Sequence, residues 1–99
     1  MNDVILKNDM MFDITLIENH ETLLASADVT IPTEVGDITV RGFKVLKGDR
    51  GDWVAFPRTM SMKDGEKQYF DVLEISKRVK KEITAIILHE YKKIQKNAG

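Results

Sequence analysis

Fifteen lysines and arginines are the residues of this 99-residue chain best suited to chemistry, and what they offer is the binding of anions. They are spread unevenly. Residues 1 to 40 hold a single base, Lys7, against eight acids. Residues 41 to 67 hold seven bases (Arg41, Lys44, Lys47, Arg50, Arg58, Lys63 and Lys67) against four acids, and the tail from Lys77 to Gly99 holds seven against two. A net charge of −1 therefore conceals one acidic and two basic stretches, the pattern of a domain with one anion-binding face. A solvated basic helix on an acidic sheet would produce the same totals.

Other chemistries find little support. With no cysteine there are no disulfides, thiolate metal sites or cysteine nucleophiles. His20 and His89 are the two histidines and neither has a ligand-spaced partner. His89 and Glu90 are adjacent on a helical segment, so they point about 100° apart and do not share a metal easily. Ser26, Ser61 and Ser76 lack an elbow or triad context, Asp64 and Glu66 share a turn, and no glycine-rich phosphate loop precedes a helix. The expectation is a protein that is not an enzyme, with no metal, no cofactor and no small-molecule substrate.

The elements that must position the bases follow from patterning. Hydrophobic residues make up 42% and charged residues 31%, a balance that fits one globular domain. No apolar run approaches the roughly 20 residues that cross a bilayer, and the N-terminus lacks a signal-peptide core, so a cytoplasmic location with no membrane contact is expected. Residues 1–10 read as an N-terminal arm, or as a short extra strand, ahead of a single domain over 11–99. Phe12, Ile14 and Leu16 alternate with Asp13 and Thr15, and after a turn at residues 18–21 Ala25, Ala27, Val29 and Ile31 alternate with Ser26, Asp28 and Thr30. These two runs form a hairpin. A third strand starts near Ile38, and Gly42 moves its apolar parity from Ile38 and Val40 to Phe43 and Val45, the mark of a bulge. Gly48 to Gly51 is a turn, Trp53 to Phe56 a short strand, Arg58 to Gln68 an aperiodic loop with a turn at residues 63–66, and Gln68 to Leu73 a fifth strand.

From Ser76, a helix cap, no proline or glycine intervenes until Gly99. Val79, Ile83, Ile86, Ile87, Tyr91 and Ile94 share one helical face, and Arg78, Lys81, Ala85, His89, Lys92 and Lys96 share the opposite one. The fold class is α+β, an antiparallel sheet of about five strands with one long C-terminal amphipathic helix. One helix leaves the second sheet face uncovered, and Leu88 lies near the edge of the helix's apolar face. A homodimer would cover the sheet face or pair a strand edge, whereas a polar second face would suit a monomer.

Residues Gly42 to Glu66 resemble the stage V sporulation protein G (SpoVG) family. Its basic-Val-hydrophobic strand end reads here Lys44-Val45-Leu46, its glycine-containing turn Gly48 to Gly51, its Phe-Val-Ala-Met-Pro strand end Trp53-Val54-Ala55-Phe56-Pro57, and its Asp-Gly-Glu turn Asp64-Gly65-Glu66. Leu24 to Ile31 is similar to the family's second strand, and Leu88-His89-Glu90-Tyr91 to the end of its helix. The resemblance covers about residues 11 to 94. It implies a homodimeric bacterial regulator of gene expression and septation that binds DNA or RNA. Where the family carries two adjacent bases shortly after its proline, this chain has Thr59 and Met60 following Arg58. That difference keeps open a second reading, a protein-interaction module with the same fold and no nucleic-acid binding.

The candidate nucleic-acid-binding residues are Arg58 and Lys63 in the loop and Arg78, Lys81, Lys92 and Lys96 on the helix. Lysines near the helix end also suit its dipole, and the loop could serve merely as a connection. Stacking on single strands would need exposed rings, for which Trp53 and Tyr69 are the candidates, although Trp53 would equally fit a core or a dimer interface.

Overall fold

The alternating apolar residues become a five-stranded antiparallel sheet in the computed structural model of the protein, which describes residues 2–71 and 75–98. Strands β1 (Asn2–Lys7), β2 (Met10–Leu16), β3 (Leu23–Thr33), β4 (Gly36–Leu46) and β5 (Trp53–Ala55) lie side by side in chain order. A separate two-stranded hairpin, β6 (Arg58–Lys63) and β7 (Glu66–Asp71), follows, and then helix α1 (Lys77–Ala98). The α+β class expected from the sequence is the one observed, with three changes of detail.

The segment expected as an N-terminal arm or a short extra strand is a strand. Asn2 to Lys7 pairs with Met10 to Thr15, and the two-residue connection, Asn8-Asp9, has φ of 52° and 62°. Positive φ at both positions is what a tight turn matched to the twist of the strands requires, and Asn and Asp tolerate it. The second change concerns Arg58 to Gln68, expected as an aperiodic loop. It forms most of the β6–β7 hairpin, closed by Asp64-Gly65 with φ of 54° and 80°. Cross-strand hydrogen bonds, which do not depend on apolar alternation, hold such a ribbon. The third is that Gln68 to Leu73 does not supply the fifth strand of the sheet. Gln68 to Asp71 belongs to β7, Val72 and Leu73 lie outside the described residues, and β1 is the fifth strand instead.

One face of the sheet is the core. Phe12 and Ile14 on β2, Ala25, Ala27 and Val29 on β3, Phe43 and Val45 on β4 and Val54 on β5 are all buried there. They meet Ile83, Ile86, Ile87 and Tyr91 of α1, while Val79, Leu88 and Ile94 pack around the rim. The helix begins where its cap allows, with Ser76 Oγ accepting from the Val79 N–H at 3.3 Å. At 1.5 Å per residue its 22 residues span about 33 Å. Burial, and to a lesser degree the Asp52 carboxylate, hold the Tyr91 phenol above its usual pKa of 10.0.

The bulge in β4 decides which side chains reach that core. Ala27 stands opposite Phe43 and Val29 opposite Val40, so Arg41 and Gly42 together face Asp28. The extra residue puts Phe43 and Val45 on the same face as Ile38 and Val40. Arg41 and Lys44 then stay on the open face. Gly42 has φ of 100°, and an added Cβ would meet only Pro57 carbons at 3.8 to 3.9 Å. The need for glycine is therefore conformational rather than steric. Gly42→Ala is expected to cost about 1–3 kcal/mol in chemical denaturation, and a cost near zero would show that the bulge does not require glycine.

Tyr91 offers a second check. Its folded pKa lies above the unfolded value, so its contribution is complete below about pH 10 and is lost as pH rises through the folded pKa. Tyr91→Phe should lose less stability than the parent above about pH 10, measured by urea midpoints across the alkaline range. Parallel alkaline slopes in the two proteins would contradict this.

Candidate functional site

The turn after β4 is where the open face acquires its aromatic surface. Lys47 N–H donates to Thr22 O at 2.8 Å, and Gly48 and Gly51 exchange backbone hydrogen bonds at 3.1 and 3.3 Å. This closed loop delivers Trp53 opposite Leu46, and Ala55 opposite Lys44, on the open face. The Trp53 indole lies against Gly48, where an added Cβ would stand 2.9 Å from the ring Cδ1. The ring is thereby held in place from one side, yet it remains 50% exposed.

Beyond β5 the chain turns on Phe56 and Pro57. Phe56 sets its ring edge-to-face with the buried Phe43, centroids 5.0 Å apart at 69°. Lys80 of α1 places its ammonium 5.6 Å from the Phe56 centroid, a cation–π contact. Pro57 is buried, and β6 and β7 then bring Arg58 and Tyr69 to the same region. Tyr69 is 60% exposed.

These side chains line one open groove of about 790 Å³. Arg41, Lys44, Arg58 and Lys80 contribute four cations and Trp53 and Tyr69 two exposed rings, with no acid among the described lining residues, while Arg58 stands across from Asp71 in the β6–β7 register. Arg41 donates from Nη1 to Asp28 Oδ2 at 2.8 Å across the bulge, with its own side chain 76% exposed. That pair orients the guanidinium along the open face, and most of its surface stays in water. A surface pair of this kind contributes about 0–1 kcal/mol, so an anion can compete for it.

Of the residues singled out from the sequence, Arg58 lines the groove. Lys63 ends β6 opposite Glu66, at the tip of the hairpin. Arg78, Lys81, Lys92 and Lys96 are exposed on the back of α1 and do not line the groove, and Arg78 stands 3.7 Å from Glu82. The structure therefore divides the expected basic surface into a groove and a stripe. Lys80 was missed: it adjoins Val79 at the margin of the apolar helical face, and its partner Phe56 is 24 positions away. Arg41 and Lys44 were visible as bases, but only the bulge places them on one face.

His20 has a structural duty, its Nδ1 accepting from the N–H groups of Thr22 (3.2 Å) and Leu23 (2.9 Å) in the β2–β3 connection. Among the described residues no group of three or more His, Cys, Asp or Glu side chains is placed to hold a metal ion, and no helix is long and apolar enough to cross a membrane.

Comparison with protein families finds a match to the SpoVG family over residues 10–93. The chain belongs to the SpoVG family. That span takes in every residue named in the groove and leaves only β1 and the ends of the chain outside it. The protein is accordingly a SpoVG-like regulatory protein, of a family related to sporulation and septation and not known as a family of enzymes. No curated protein and no solved structure matches the chain.

The indole's seat on Gly48 gives a direct test of the groove's construction. Gly48→Ala would set a methyl 2.9 Å from Trp53 Cδ1 and 2.7 Å from Gly51 O, so ring or turn must move. Because Trp53 is the sole tryptophan, the emission maximum of Gly48→Ala should shift from that of the parent, with a stability loss of about 1–3 kcal/mol. An unchanged emission maximum would contradict the described contact.

Proposed function

We propose that this SpoVG-like regulator binds nucleic acid through the groove and acts as a homodimer. The observation that carries the reading is the groove's lining, four cations and two exposed rings with no acid among the described lining residues. Phosphates are attracted by Arg41, Lys44, Arg58 and Lys80 with release of condensed counterions, a sequence-independent term that depends steeply on salt. The stripe of Lys81, Lys92 and Lys96 supplies a second, more peripheral set of phosphate contacts. Charge is segregated rather than net positive, so the acidic first forty residues turn the nucleic acid away from the β2–β3 hairpin and toward the groove.

The homodimer rests on the opposite edge of the sheet. Val4 (60%), Leu6 (73%) and Met11 (46%) are exposed together there, Leu6 directly across from Met11. β1 is an edge strand whose order Asp3-Val4-Ile5-Leu6-Lys7 is self-complementary. Two such strands paired antiparallel about Ile5 set Asp3 against Lys7 of the partner subunit and join the apolar strips. Leu6→Lys should then convert a dimer to a folded monomer in sedimentation analysis. A parent that sediments as a monomer would exclude the dimer, and a variant that stays dimeric would exclude this edge.

Binding is tested by fluorescence-anisotropy titration of the full chain with single-stranded and duplex oligonucleotides at about 50 and 200 mM salt. Four phosphate contacts give a slope near −3.5, hence roughly a hundredfold loss across that range. Reversing charge in the groove with Lys44→Glu and Lys80→Glu should weaken binding at least tenfold and flatten the slope by about two. Unaltered affinity in that double variant would contradict the groove. A loss confined to the variant with Lys81, Lys92 and Lys96 changed to Glu would transfer the surface to the back of the helix. No binding at low salt would leave the protein-interaction module as the reading.

A further inference from the structure

The nucleic acid's form follows from the rings rather than from the charges. Cations alone would serve a duplex or a single strand equally, since both present phosphates. Trp53 and Tyr69 are different, because each keeps half or more of its surface in water in the same groove as the four bases. Burying them in the core would have been the ordinary use of such residues. The indole is seated on Gly48 and held by a turn with reciprocal backbone hydrogen bonds, so it is a preset surface rather than a loose side chain. Duplex DNA hides its base faces in the stack, so a double helix would engage the cations and leave both rings without a partner. Unpaired bases have free π-faces that stack on aromatic side chains with little regard for sequence.

Resting on the nucleic-acid reading above, we infer that the groove is a single-strand site. Unpaired bases stack on Trp53 and Tyr69, and Arg41, Lys44, Arg58 and Lys80 hold the flanking phosphates. Arg41 exchanges its Asp28 partner for a phosphate in the process. Recognition is then tolerant of sequence and selective for strandedness. The site would favour single-stranded RNA, or DNA opened during transcription or replication, over closed duplex.

Three probes of equal length, about twelve nucleotides, separate the parts of this account: a single strand, the same strand lacking bases, and its duplex. The full-length parent should bind the single strand about tenfold or more tighter than the abasic strand or the duplex, with quenching of the lone tryptophan emission. Trp53→Ala and Tyr69→Ala should each remove about tenfold of single-strand affinity while leaving duplex affinity unchanged, and Trp53→Phe should retain most of it. Because half of the Trp53 indole is buried, Trp53→Ala is titrated well below its own thermal transition, and Tyr69→Ala and Trp53→Phe, which disturb the packing less, separate lost stacking from lost stability. Salt-sensitive binding of all three probes with equal affinity and no change in tryptophan emission would overturn the single-strand site while leaving the nucleic-acid reading standing. Failure of every probe to bind would overturn both.

Discussion

One inserted residue in β4 governs how this chain is divided between core and surface. Without the bulge at Arg41 and Gly42, a strand with Ile38 and Val40 on its core-side face would next bring Gly42, Lys44 and Leu46 to that face, expelling Phe43 and Val45. An unpaired lysine in the core would cost several kcal/mol, so the sheet could not carry α1 as it does. With the bulge, Phe43 and Val45 fill the centre of the core, and Phe43 then offers its ring to Phe56. The same shift puts Arg41 and Lys44 on the open face beside Trp53. Core packing and groove chemistry thus depend on a single backbone irregularity, which glycine makes possible.

The charges around α1 meet the groove at Lys80. The first turn holds no acid and contains Lys77, Arg78 and Lys80, although the positive end of the helix dipole disfavours cations there by about 0.3–1 kcal/mol each. Glu82 offsets part of this through Arg78 at 3.7 Å. Lys80 has its own counterweight in the face of the Phe56 ring. Of these first-turn bases Lys80 lines the groove, where it adds to the positive potential of Arg41, Lys44 and Arg58. The lysines of the last turns, by contrast, suit the dipole.

Much of this was legible in the sequence. The β2–β3 pairing, the Gly42 bulge, the turn at Gly48, the Ser76 cap and the buried face of α1 each have a local signal in period or residue type. The Arg58–Asp71 hairpin was half legible, because its Asp64-Gly65 turn is plain but its strands do not alternate in hydrophobicity. β1 was open to two readings: Val4-Ile5-Leu6 followed by Asn8-Asp9 signals a strand and turn, yet the strand's partner lies across a hairpin that short-range patterning did not decide. The groove itself was only partly legible. Arg58, Trp53 and Tyr69 were candidates by type, but Lys80 joins them through packing between segments far apart in sequence, which no spacing rule encodes. The helical stripe was easy to see because helical periodicity is short-ranged, and it proved separate from the groove.

The central claim is that the groove is the nucleic-acid surface. Backbone and indole amide resonances recorded during titration with a short single-stranded oligonucleotide test it most directly. The account predicts the largest shifts at Arg41, Gly42, Lys44, Lys80 and the Trp53 indole, with smaller ones along Lys92 to Lys96. Shifts confined to the back of α1 or to the β1 edge, with the Trp53 indole unmoved at saturation, would contradict it.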